Sequence, residues 1–200
     1  MAEQSYDLRE RKRTKTRLMI QAEAFRLFAE KGYENTTVDD IAFAAAISPR
    51  TFFRYFPTKE DVVLWDEYDP IAAELVAARP DDEPLAETLR AITRAAIGGL
   101  YRRDPAQLLM RTRLLASVPE LRARMLAQQG SGGDMLAALL AQKRGLRADD
   151  LAARVIAAAF GAAIITAVDA WQRDDGKSDL LELVDRAIHE LAEGMRELGD

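Results

Sequence analysis

Apolar side chains recur at steps of three and four along most of the 200 residues, and β-branched alternation with a period of two is absent. That periodicity predicts an all-α fold. With 48% hydrophobic and 30% charged residues, the chain has enough apolar mass for a packed core and enough charge for a solvated surface.

Capping residues place the helices. The stripe Leu18, Ala22, Phe25, Leu27 and Phe28 predicts a long first helix from about Arg9 to Lys31, ended by Gly32. Thr36 and Thr37 offer N-caps to a short helix carrying Val38, Ile41 and Ala42. Ser48 and Pro49 offer an N-cap and a first-turn proline to another, ending near Phe56. A fourth helix is expected from Lys59 to about Ala78, with Pro70 as a possible kink, before a loop at residues 79–84. Beyond it, Pro84, Pro105 and Pro119 mark helix starts, while GSGG at 130–133 and KRGLRADD at 143–150 are expected to separate later helices. The last two run from about Asp149 to Arg173 and from about Ser178 to Leu198, the latter with the stripe Leu181, Val184, Ile188, Leu191 and Met195.

Residues 36–56 fit a helix-turn-helix, with a turn of about three residues at Ala45 to Ile47. At about 100° per residue, Ser48, Phe52 and Phe56 share one side of the second helix and Arg50 and Arg54 the other. Phe53 lies on one flank, and Thr51 and Tyr55 on the other. Phe52 and Phe56 read as core. Arginine suits guanine edges in a major groove, and an exposed ring such as Phe53 can touch a thymine methyl. Tyr55, Thr37 and Lys59 are better placed for phosphates.

Charge first argues against nucleic acid, because the net charge is −5. Its distribution reverses the argument. Through residue 60 there are 11 basic and 9 acidic side chains, and beyond it 17 and 24. Residues 9–17 alone carry six basic side chains against Glu10, which reads as a basic arm leading into the first helix. With no cysteine and one histidine, His189, the chain lacks the residues for disulfides, thiol chemistry, Ser-His catalysis or a multi-histidine metal site. His189 reads as a surface or interface residue, and the paired carboxylates fall at caps and loops. No enzyme and no cofactor are expected. The N-terminal segment lacks the apolar stretch of a secretory signal, so a cytoplasmic location is expected. The apolar run from Val155 to Val168 is 14 residues, short of the roughly 20 that cross a bilayer, and reads as a core helix.

The stretch FRLFAEKGYENTTVDDIAFAAAISPRTFFRYFPTKEDVV, residues 25–63, closely resembles the first four helices of the TetR family of bacterial transcriptional regulators. The resemblance implies a three-helix DNA-binding domain over residues 1–57 and a helical-bundle domain for ligand binding and dimerisation over 58–200. It implies DNA contacts from Thr37, Arg50, Thr51, Phe53, Arg54, Tyr55 and Lys59. Two positions depart from the pattern. Ala46 stands where the turn usually has glycine, at a cost of up to about 1 kcal/mol, and Phe53 stands where tyrosine is frequent.

The same resemblance implies a homodimer through the last two helices, with Ala157, Ala158, Gly161 and Ala162 permitting close approach and the stripe Leu181, Val184, Ile188 and Leu191 supplying apolar area. A symmetric dimer calls for a near-palindromic double-stranded operator. A small-molecule pocket is implied as well, with Trp65, Tyr101, Leu108, Met110, Arg111, Leu114, Phe160, Ile164 and Trp171 as candidate lining residues, although Phe160 and Trp171 read first as core or interface aromatics. Residues 111–124, RTRLLASVPELRAR, resemble a branch associated with the mycofactocin system and acyl-CoA-like effectors. The expected function is a ligand-responsive repressor. The alternative is a helical small-molecule-binding protein that no longer binds DNA.

Overall fold

A computed structural model describes residues 2–65, 78–80, 83–143, 145, 147 and 149–197, and among these the regular elements are all helical. They are α1 (Ala2–Lys31), α2 (Val38–Ala44), α3 (Pro49–Tyr55), α4 (Lys59–Leu64), α5 (Leu85–Arg103), α6 (Pro105–Ser117), α7 (Pro119–Lys143), α8 (Leu151–Arg173) and α9 (Leu180–Glu197). The chain forms two compact units, Met1–Glu67 with Leu114–Leu121, and Tyr68–Arg113 with Arg122–Asp200.

In the first unit α1 packs against α2, α3 and α4. Its core joins Ile20, Phe25 and Phe28 of α1 to Ile41, Phe52, Phe56, Val62 and Val63. The expected caps are present. Gly32, with φ +86°, closes α1 by donating its N–H to the Phe28 carbonyl. Thr37 and Thr58 cap α2 and α4 in reciprocal boxes with Asp40 and Asp61, and Ser48 caps α3 ahead of Pro49.

Three expectations are corrected here. The basic residues are not an arm ahead of a helix, because α1 is already helical from Ala2. Glu, Gln, Arg and Lys are good helix formers and no glycine or proline interrupts them before Gly32. The fourth helix does not reach Ala78 as a single rod. It ends at Leu64, where Trp65 turns to extended backbone with ψ 131°, and the proposed Pro70 kink lies outside the described residues. Nor does GSGG break the chain. α7 runs through 130–133, since each glycine weakens a helix by only about 1 kcal/mol relative to alanine and the flanking residues form helix well.

The second unit is built on α8 and α9, with α5 packed on α9. Its main core contains Leu89, Leu100, Leu108, Phe160, Trp171, Val184 and Ile188. Two members of the expected interface stripe, Val184 and Ile188, and the small residue Ala157 are therefore buried within the chain's own core. The amphipathic face of α9 is used on α8 and α5, so it offers less area to a second copy than its sequence suggested. α8 also exceeds its apolar run. At 23 residues it is long and apolar enough, on those two grounds, to cross a bilayer. One face is buried in the bundle, while Leu151, Val155 and Ile165 on other faces stay 75%, 54% and 39% exposed.

Candidate nucleic-acid interface and effector cleft

The turn between α2 and α3 sets the geometry of the candidate interface. The Ile47 N–H donates to the Ala42 carbonyl at 2.9 Å and the Ala46 N–H to the Phe43 carbonyl at 3.1 Å, the double closure of a Schellman motif. Such a motif needs a left-handed residue. Ala46 supplies it at φ +54°, a region that glycine enters without a Cβ penalty.

Beyond the turn, α3 separates its faces as its spacing predicts. Phe52 and Phe56 are buried, and Phe52 meets Phe53 edge-on with ring centroids 5.6 Å apart. Arg50, Phe53 and Arg54 are exposed, while Thr51 and Tyr55 are half-buried. The Ser48 hydroxyl accepts the Thr51 N–H, and the Ser48 and Thr51 hydroxyls lie 2.9 Å apart.

Arg54 lies over the Tyr55 ring at 5.1 Å from its centroid. Thr16 of α1 lies beside the Tyr55 hydroxyl, and this contact, with the neighbouring Arg54 guanidinium, holds that hydroxyl below the usual phenol value. An open cleft of about 720 Å³ between the two helices is lined by Lys12, Arg13, Lys15, Thr16, Arg54 and Tyr55. The charge run was visible in the sequence. Its pairing with the end of α3 was not, since nothing in the spacing says which turn of α1 meets Tyr55.

Thr37 and Lys59 are both engaged in the fold. Thr37 is exposed, but its hydroxyl donates to Asp40 at 2.6 Å. Asp40 also takes the Thr37 N–H and the Lys31 ammonium, each at 2.8 Å. The Lys31 contact, then those from Thr37, hold its carboxyl well below the usual carboxylate range. The Lys59 ammonium donates to the carbonyls of Tyr33 and Thr36 at 2.9 and 3.1 Å and sits 4.0 Å from the Tyr33 ring centroid. Two of its three protons thus hold the loop between α1 and α2.

The second unit holds an open cleft of about 810 Å³ between α5, α7 and α8. Ile92, Ile97, Ala137, Phe160 and Ile164 supply apolar wall, and Arg154 and Asp134 supply charge. Of the candidate lining residues, Phe160 and Ile164 reach this cleft. Tyr101 and Trp171 instead pack edge-on at 5.9 Å in the core, where the Tyr101 hydroxyl accepts the Leu180 N–H at 3.3 Å. Leu108 belongs to the same core, and Met110 and Arg111 are half-buried on α6. Trp65 and Leu114 fall in the first unit, with Trp65 edge-on to Phe56 and beneath the Arg17 guanidinium. Asp134 and Arg154 were missed, although a charged residue at the start of the apolar α8 run was a visible signal. Among the described residues, no group of acidic or histidine side chains could hold a metal ion.

Residues 20–64 match the model described as bacterial regulatory proteins, tetR family, and residues 83–196 match the MftR C-terminal domain. The chain belongs to the TetR family of transcriptional regulators. This TetR-family chain is 35% identical over 163 residues to the HTH-type transcriptional regulator TcmR of Streptomyces glaucescens, covering 78% of this chain and 72% of that one. It is 28% identical over 191 residues to the mycofactocin biosynthesis transcriptional regulator MftR of Mycobacterium tuberculosis, covering 94% and 95%. Among solved structures it resembles the TetR-family repressor FadR of Thermus thermophilus, solved in complex with lauroyl-CoA. That match has a TM-score of 0.58 and 28% identity, and covers 90% of this chain and 94% of the other.

Proposed function

We propose that this TetR-family regulator binds a near-palindromic operator as a homodimer, represses transcription there, and is released by a small amphipathic effector of the acyl-CoA type. The observation that carries the DNA half is the exposure of Arg50, Phe53 and Arg54 on α3 while Phe52 and Phe56 anchor that helix from behind. Residues 1–57 form the DNA-binding part in this reading, with Thr37, Arg50, Thr51, Phe53, Arg54, Tyr55 and Lys59 at the duplex. Residues 58–200 sense and dimerise. The apolar residues left uncovered on α8 support pairing with a second copy.

The effector half is supported by the cleft between α5, α7 and α8, whose apolar wall suits an acyl chain and whose Arg154 suits an anionic group. It is supported also by likeness to a FadR that was solved with lauroyl-CoA. An effector releases DNA only by binding the non-DNA-binding state more tightly. Selection from a random duplex pool, then gel-shift titration with and without lauroyl-CoA, tests both halves. A sequence-preferring complex that lauroyl-CoA dissociates is expected. Absence of any sequence preference at moderate salt overturns the DNA half, and a complex indifferent to lauroyl-CoA overturns the acyl-CoA assignment.

A further inference from the structure

We propose that residues 12–16 of α1 and the last turn of α3 form one phosphate-holding cleft, and that Arg54 grips the DNA backbone there while Arg50 and Phe53 face the base edges. The proposal rests on the DNA-binding reading above and divides its residues by role.

Three observations carry it. First, Lys12, Arg13, Lys15 and Arg54 line the same cleft as Thr16 and Tyr55, and none of these six described lining residues is acidic. Four cations around one opening match a polyanion with regularly spaced charge. Second, the cleft is built rather than casual. Thr16 of α1 and Tyr55 of α3 share its wall, and the Thr16 hydroxyl donates to the Lys12 carbonyl at 3.0 Å within the turn of α1 that bears the cations. Third, Arg54 lies over the Tyr55 ring and opens toward α1, whereas Arg50 is one turn nearer the start of α3 and lines no part of the cleft.

The basic segment also lies outside the stretch that matches the DNA-binding family model, which begins at residue 20. As a helix, it holds its cations at fixed spacing. Those at i and i+3, such as Lys12 and Lys15, share a face and can follow successive phosphates of one strand. A sugar–phosphate backbone is the occupant that this charge and shape select.

The test uses the full chain and a duplex that the wild type recovers from a random-sequence pool. Binding is measured against salt concentration for the wild type, K12Q/R13Q/K15Q, R54Q and R50Q. The α1 triple variant and R54Q are each expected to weaken binding by tenfold or more, to lower the salt slope by about 0.9 for each phosphate no longer neutralised, and to leave the ranking of mutated duplexes unchanged. R50Q is expected to change that ranking at one base-pair position per half-site. An unchanged salt slope in the triple variant, or an altered base preference in R54Q, overturns the proposal while the DNA-binding reading stands. Failure of the wild type to recover any preferred duplex defeats that reading itself. Circular dichroism and melting midpoints check the fold, and if the triple variant is damaged, K15Q alone is scored by the same slope.

Discussion

The side-chain amide of Gln21, buried in α1, donates to the carbonyl of Trp65 at 3.0 Å, and its second proton goes to the Val62 carbonyl at 2.9 Å. One side chain thus satisfies two acceptors that the last turn of α4 leaves open, and fixes where that helix ends. Gln21→Leu keeps the volume and removes both donors. Stranding these carbonyls is expected to cost about 1–3 kcal/mol. The melting midpoint should fall by several degrees, and an unchanged midpoint would show that the amide contributes nothing.

Ala46 stands in left-handed backbone at φ +54° because the Schellman closure of α2 demands it. Ala46→Gly removes the clash at Cβ, which outweighs the added freedom of the unfolded chain, so a net stabilisation of up to about 1 kcal/mol is expected. Ala46→Val, branched at Cβ, is expected to destabilise. Urea midpoints of the three proteins should rank glycine, alanine, valine, and any other order refutes the strain at this turn.

Asp40 carries a pH dependence with a definite sign. Its carboxylate accepts from Lys31 and Thr37, so its folded pKa lies below the unfolded value of about 3.9. The stability it lends is fully present above that unfolded value and fades as pH falls below it. Asp40→Asn should lose stability relative to wild type near neutrality and less in acid. Urea midpoints at about pH 7 and about pH 3 test this, and a constant difference between the proteins contradicts it.

How much of this was legible in advance differed by interaction range. Thr37, Ser48 and Gly32 act within four residues of themselves, so their residue types announced the helix ends. The split of α3 into Phe52 and Phe56 against Arg50 and Arg54 followed from helical spacing alone. Lys59 reads as a phosphate contact from its place at the start of α4, where the N-terminal amides also favour a phosphate. Its partners, Tyr33 and Thr36, lie 26 and 23 positions away, and only folding brings them under its ammonium. Tyr101 and Trp171 do not line the cleft between α5, α7 and α8 for a like reason. Aromatic type does not say which face of a helix another helix will cover, and the core claimed both.

The effector reading gives a steric prediction. Ile92 is half-buried on α5 and lines the larger cleft, so Ile92→Trp narrows it from outside the two helices read as the dimer interface. Lauroyl-CoA affinity is expected to fall at least about tenfold, equivalent to about 1.4 kcal/mol, with operator binding retained. Titration calorimetry on the purified protein checks it, and undiminished affinity moves the effector elsewhere.

Gly130 and Gly133 border that same cleft from α7, and a methyl group added at either would meet no atom within 4 Å. The wall is thinnest where the helix is also weakest, since each glycine gives up about 1 kcal/mol of helical preference. Amide exchange along α7 should therefore be fastest beside the opening. The aperture can breathe at little cost there, while the core of Trp171, Val184 and Ile188 stays shut.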